Sequence, residues 1–113
     1  MGRYLMIDDE RGYLHIQDQH VRTYGPLVDQ ADLCICRNYS DGIKALQEGG
    51  WDCLYLDHDL KSFDVDGREK TGYDVMVFLE QNLELLPKRI VCVSANPSGR
   101  KRIEQVIQKL YGG

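Results

Sequence analysis

The residues best suited to chemistry fall in three polar clusters, each directly after an apolar run. They are Asp8-Asp9 after RYLMI, Asp57-His58-Asp59 after LYL, and Ser94-x-Asn96 after RIVCV. Titratable groups at the end of a buried run cost free energy unless a metal, a phosphate or water receives them. Carboxylates sharing one pocket repel each other, and one takes up a proton unless a cation compensates. An all-oxygen donor set suits a hard divalent ion, so Asp8, Asp9 and Asp57 are the candidate ligands of Mg2+ or Mn2+. His58 stands between two aspartates that would fix its tautomer and keep it able to pass protons near neutral pH. Asp57, His58 and Asp59 are therefore the candidate catalytic group.

A second kind of chemistry is written in Pro97-Ser98-Gly99-Arg100-Lys101-Arg102. The first turn of a helix already carries positive partial charge, so basic residues there need a reason. Free backbone N–H groups, a glycine allowing close approach and an arginine fork make an anion seat. Ser94, Asn96, Gly99 and Arg100 form the candidate phosphate-binding set. Asp64-x-Asp66-Gly67 resembles a calcium loop, but Tyr73 stands where the bidentate glutamate is required, which excludes it. His15 and His20 have no partner pattern.

These side chains need elements to hold them. Arg3 to Asp8, Asp32 to Asn38, Cys53 to Asp57 and Arg89 to Ser94 are short apolar runs without helical period, as expected of strands buried on both faces. Between them lie helical patterns. Leu14, Val21 and Val28 predict a helix around Leu14 to Tyr24, ended by Gly25-Pro26. Ser40 or Asp41 caps a helix to Glu48 that buries Ile43 and Leu46 and stops at Gly49-Gly50. Residues 61–71 read as a mobile polar loop. Thr71 caps the next helix, with Asp74 in its first turn and Val75, Phe78 and Leu79 facing inward; Leu85 to Pro87 closes it. Ser98 caps the last, which buries Ile103, Val106, Ile107 and Leu110.

Strands alternating with helices predict an α/β fold, a doubly wound parallel sheet with helices on both faces. Ligands bind at the carboxyl ends of such strands. The polar clusters occupy those ends, so one sheet edge gathers acids, a histidine, a serine and an asparagine.

Bulk properties narrow the partners. At 113 residues the chain fits one domain, residues 1–113, burying roughly two-thirds of its unfolded surface. A net charge of -4, with basic residues clustering locally at Lys88-Arg89 and Arg100 to Arg102 rather than covering a face, argues against duplex DNA and leaves a small phosphate ligand. Cys34, Cys36, Cys53 and Cys92 lie in or beside apolar runs and read as small buried hydrophobes. Cys34-x-Cys36 places two thiols on one strand face, but zinc sites favour turn-borne pairs. No apolar run approaches the ~20 residues of a membrane span, and nothing reads as a signal peptide. A reduced, cytoplasmic setting is the expectation.

The pattern of Asp8-Asp9, Asp57 and Ser94 resembles the response-regulator receiver fold, whose acids hold magnesium and whose third-strand aspartate accepts a phosphoryl group. More specifically, DDER at 8–11, LDHDL at 56–60, TGYDV at 71–75 and SANPSGRKRIE at 94–104 resemble the cyclic-phosphate processing receiver-like family. The resemblance implies four strands in the order 2-1-3-4 and a pocket lined by Asp8, Asp9, Asp57, His58, Asp59, Ser94, Asn96 and Arg100. It further implies action on a cyclic phosphate of a nucleotide or of an RNA end. Two positions depart from the family pattern. Val93 stands where a histidine is expected, and Lys61 where a glycine commonly follows LDHDL. The fifth strand of receivers, with its lysine, is not expected here, and Arg100 is the candidate substitute. The expected function is a metal-dependent phosphoesterase. The alternatives are a signalling receiver phosphorylated on Asp57 and a non-catalytic phosphate- or nucleotide-binding module.

Overall fold

A computed structural model of the chain describes residues 3–10 and 33–112. In chain order its elements are β1 (Tyr4–Ile7), β2 (Leu33–Cys36), α1 (Tyr39–Glu48), β3 (Cys53–Leu56), β4 (Ser62–Phe63), β5 (Glu69–Lys70) and α2 (Gly72–Gln81). A 3-10 turn (Leu83–Leu85), β6 (Ile90–Cys92) and α3 (Pro97–Tyr111) follow. The apolar runs pair as a four-stranded parallel sheet in the order β2-β1-β3-β6, the expected 2-1-3-4 arrangement of a flavodoxin-like fold. The helix expected around Leu14 to Tyr24 lies outside the described residues.

Register is what brings the polar clusters level. Ile7 pairs with Leu56, and Leu56 with Cys92. The ladder runs one step further, as Asp57 N donates to the Ile7 carbonyl at 3.0 Å, Asp8 N to that of Cys36 at 3.1 Å, and Val93 N to that of Leu56 at 2.9 Å. Asp8 and Asp57 are thus the first residues past neighbouring strands, on one edge of the sheet.

Strand alternation divides the core in two. Leu5, Ile7, Leu54, Leu56, Ile90 and Cys92 face Leu46 of α1, Val75, Met76 and Leu79 of α2, and Ile103 and Val106 of α3. The described helices all pack on this face. Met6, Cys53, Tyr55 and Val93 form a second buried cluster, with Tyr4, Leu33, Ile35 and Val91 packed against it. Each buried leucine-sized side chain contributes about 1.5–3 kcal/mol, so the sheet edge carrying the acids is a rigid platform.

Several local expectations are corrected. Asn38, not Ser40 or Asp41, caps α1: its side-chain oxygen accepts the Asp41 N–H at 2.8 Å, and its amide donates to the Asp41 carboxylate at 2.9 Å. Asn96, not Ser98, caps α3 and puts Pro97 at the first helical position, where a missing N–H is harmless. Thr71 does cap α2, with Asp74 returning the bond in a capping box. That helix stops at Gln81 rather than at Leu85 to Pro87, because the 3-10 turn intervenes. Residues 61–71 are not simply loop, since β4 and β5 pair antiparallel within them. Cys34 is exposed on the sheet's edge strand, whereas Cys36, Cys53 and Cys92 are buried. Burial pushes the Cys36 thiol up to about 12, with Cys34 adding to the effect. Among the described residues, no helix is long and apolar enough to cross a membrane.

Candidate functional site

Asp8, Asp9 and Asp57 meet where β1 and β3 end. Each can offer a carboxylate oxygen to a set lying within 4.8 Å of one another, and Asp8 and Asp57 are buried. A hard cation takes oxygen ligands at about 2.0–2.6 Å, so oxygens on opposite sides of one ion lie roughly 4–5 Å apart. The spacing and the donor chemistry fit a hard divalent cation. Local bonds hold two of the acids in place: Asp8 Oδ1 accepts the Glu10 N–H at 2.9 Å, and Asp57 Oδ1 accepts the His58 N–H at 2.9 Å.

The three acids open into a cavity of about 150 Å³ whose wall also includes Glu10, Asp59, Lys61, Ala95 and Asn96. Among the described residues, five carboxylates and one ammonium share it. That ammonium belongs to Lys61, with Nζ 2.9 Å from Glu10 Oε1 and 3.3 Å from Asp9 Oδ2. Its pKa is raised by the hydrogen bonds to Glu10 and then Asp9. Lys61 has φ +50, the left-handed region that glycine enters most easily. Sequence reasoning noted this residue as a departure from a glycine pattern without placing it in the site; only the turn shows that its side chain folds back over the acids. Glu10 was visible as the third acid after β1, yet it was not counted among the ligands.

His58 sits elsewhere than expected. Its ring does not line the cavity but lies against α3, over Gly99, where a Cβ would come within 2.6 Å of both Nδ1 and Cδ2. The start of α2 presses on the same segment, since Gly72 N donates to the His58 carbonyl at 2.8 Å. Nδ1 is 3.0 Å from Asp59 Oδ1, and an ionised carboxylate only accepts, so Nδ1 carries the proton. Nε2 is enclosed, and no hydrogen-bond partner reaches it among the described residues. Asp59 also receives the Asn96 amide at 3.3 Å and 3.4 Å. The hydrogen bond from His58 first, then that from Asn96, holds the Asp59 pKa below the ordinary carboxylate range. His58 and Asn96 thus aim Asp59 at the cavity.

The anion seat expected at the start of α3 is largely filled. Pro97 has no N–H, the Gly99 N–H goes to Asn96 Oδ1 at 3.1 Å, and that of Arg100 goes to the Asn96 carbonyl at 2.8 Å. Arg100 does not reach the acidic cavity; its Nε donates to Glu104 Oε1 at 3.2 Å, one helical turn along. Arg102 stacks over the Tyr73 ring at 4.0 Å. Those contacts account for basic residues at a helix start without invoking a ligand. Ser94 is buried, and its Oγ accepts the Asn96 N–H at 3.0 Å, supporting the cap rather than lining the cavity. Of the residues singled out from the sequence, Asp8, Asp9, Asp57, Asp59 and Asn96 share the cavity, while His58, Ser94, Gly99 and Arg100 lie behind or beside it.

Comparison with known proteins places this geometry among relatives. A response regulator protein from Burkholderia pseudomallei, solved with a phosphorylated aspartic acid, a calcium ion and citrate, superposes with a TM-score of 0.59 at 15% identity. The match covers 94% of this chain and 55% of that one. A fusion carrying amino acids 181–211 of the yeast Spc42 trimeric coiled coil matches with a TM-score of 0.56 at 15% identity, over 95% of this chain and 63% of that one. This chain therefore spans little more than half the length of these structures, and at such identity the likeness is one of fold. No curated protein sequence matches significantly. The model of the cyclic-phosphate processing receiver domain family matches residues 3–109. With nearly its whole length covered by that model, the chain belongs to the cyclic-phosphate processing receiver domain family.

Proposed function

We propose that this domain is a metal-dependent phosphoesterase acting on a cyclic phosphate, carried by a nucleotide or by an RNA end. The observation that carries the reading is the convergence of Asp8, Asp9 and Asp57 within 4.8 Å at one sheet edge, in a chain of this family. These three residues would hold Mg2+ or Mn2+, which when bound polarises phosphoryl oxygens and lowers the pKa of water. The chain's own residues do the rest. Asp59, aimed by His58 and Asn96, stands at the cavity wall as an ionised acceptor that orients the attacking water by accepting its hydrogen bond. His58 acts through Asp59 as a positioning residue. Lys61 is the cation that lines the cavity among the described residues and takes the part first assigned to Arg100, meeting the phosphate's charge when it lets go of Glu10.

The experiment is a panel of 2',3'- and 3',5'-cyclic nucleotides and a cyclic-ended oligoribonucleotide, incubated at high protein concentration with Mg2+ and with Mn2+. Ring opening that disappears in Asp57→Asn is expected. Absence of turnover across the panel with both metals would remove the proposal.

A second reading has its own support, the phosphorylated aspartate of the Burkholderia response regulator that shares this fold. In it Asp57 accepts a phosphoryl group and the domain is a signalling switch. A small phosphodonor and intact-protein mass spectrometry separate the two: a lasting gain of one phosphoryl group, lost in Asp57→Asn, favours the switch.

A further inference from the structure

Beside the acidic cavity lies a larger groove, about 690 Å³, between the start of α1 and the β4–β5 hairpin. Tyr39, Phe63 and Val65 give it apolar surface, and Lys44, Lys61 and Lys70 give it positive charge. Two observations set it apart from an ordinary surface dent. Phe63 is 66% exposed and Val65 fully so, and they are two of only four large hydrophobic residues exposed among those described. Lys44 and Lys70 also line it in a chain of net charge -4, with Lys70 Nζ 5.8 Å from the centre of the Tyr39 ring, while Lys61 reaches from its edge to Glu10 and Asp9. The one carboxylate on the wall, Asp64, is turned into its own hairpin, where Oδ1 accepts the Asp66 and Arg68 N–H groups at 2.9 Å each. The hairpin is tied to α1 by the Tyr39 N–H, which donates to Ser62 Oγ at 3.1 Å.

Lys61 lines both this groove and the acidic cavity, so the two are neighbours across one side chain. We propose that the groove is the nucleoside subsite of the phosphoesterase, holding the base and ribose of a nucleoside whose cyclic phosphate reaches the acids past Lys61. The assignment rests on the function proposed above and says where the nucleoside part of its substrate is held. Size agrees, since small-ligand sites run to about 300–1,000 Å³. Chemistry agrees as well. Aromatic rings stack on any base, and a ring of lysines attracts phosphate without selecting a base, so the subsite takes nucleosides with little base preference.

The test uses the full chain with Mg2+ and three probes: adenosine 2',3'-cyclic phosphate, a short oligoribonucleotide with the same terminus, and glycerol 1,2-cyclic phosphate, which has no base. Phe63→Ala and the double variant Lys44→Ala/Lys70→Ala are compared with Leu83→Ala, an exposed apolar change in the 3-10 turn away from the groove. Expected are kcat/KM losses for the two nucleoside probes that exceed the loss for the glycerol probe by about tenfold, with Leu83→Ala matching wild type. Preference for the mononucleotide or for the oligonucleotide tells which carries the nucleoside in nature; either supports the subsite. Equal losses on all probes, or none, overturn it while leaving the phosphoesterase standing. Amide shifts in a titration with adenosine 2',3'-cyclic phosphate provide a readout independent of turnover. Shifts at Tyr39, Ser62 and Phe63 without hydrolysis keep the subsite and remove the catalytic reading. A titration that leaves those amides unmoved overturns the subsite.

Discussion

Gly99→Ala tests whether the His58 ring is held by α3 as the geometry requires. A Cβ on Gly99 would stand 2.6 Å from both Nδ1 and Cδ2 of His58, closer than real Cβ contacts come, and the ring is hemmed in by its bond to Asp59. Overpacking of this kind costs about 1–3 kcal/mol. Alanine returns up to ~1 kcal/mol as the better helix former. The net effect in the wild type is a loss of roughly 1 kcal/mol. In a His58→Ala background the obstacle is gone, and the same change should stabilise by up to ~1 kcal/mol. The cycle therefore isolates a coupling of about 1–3 kcal/mol, nearly the whole steric term. Unfolding entropy of ~2.1 cal/mol/K per residue over 113 residues makes each kcal/mol worth about 4 °C in Tm. Urea and thermal unfolding of the four proteins measure it, and the imidazole resonances report whether the ring has moved. Additivity within ~0.5 kcal/mol would mean that His58 does not rest on Gly99, and the account of how Asp59 is aimed would go with it.

Other expectations can be checked on the same purified material. Lys61→Gly removes the ammonium from Asp9 and Glu10 and relaxes a φ of +50, so calorimetry should show Mn2+ binding tightened severalfold at low salt and less so at high salt; unchanged or weaker binding counts against a tethered cation. Gly72→Ala drives a Cβ to 2.9 Å from the Asp57 carbonyl carbon and 3.1 Å from His58 Cα; backbone yields less easily than a ring, so a loss of about 2–3 kcal/mol, read as a Tm drop of roughly 8–12 °C, is expected. Asp52 accepts the Arg3 N–H at 2.7 Å and pairs with Lys88 at 3.1 Å, contacts that hold its pKa below the ordinary value, with the Arg3 bond first. A depressed carboxylate stabilises above its unfolded pKa and loses that contribution as pH falls through the folded one. Asp52→Asn should therefore be less stable than wild type by roughly 1 kcal/mol or less at pH 7, with the gap closing as acid carries the pH below the ordinary carboxylate range.

What the sequence disclosed and what it hid have separate physical causes. Strand order was legible only through the family resemblance, whereas the meeting of Asp8, Asp9 and Asp57 was legible because a parallel sheet forces strand ends into line, and uninterrupted apolar runs such as CLYL report burial on both faces. Thr71 was legible as a cap because Asp74 completes a local pattern. Asn96 misled for a related reason: a serine, a glycine and an arginine follow it, and the eye takes Ser98 as the cap and Arg100 as the anion fork. Yet a cap at Asn96 places proline at the first helical position, where nothing is lost, and lets Arg100 find Glu104 one turn on.

Lys61 was hidden by a different effect, since its role depends on a backbone angle. A lysine in the left-handed region is disfavoured locally, and residue type alone gives no sign of it. Its side chain places positive charge among the five carboxylates that line the cavity among the described residues, a task that sequence reasoning assigned to Arg100, one helical turn past Asn96. The strained turn and the charge it delivers belong together: at this position a glycine would relieve the backbone and take the ammonium away from Asp9 and Glu10.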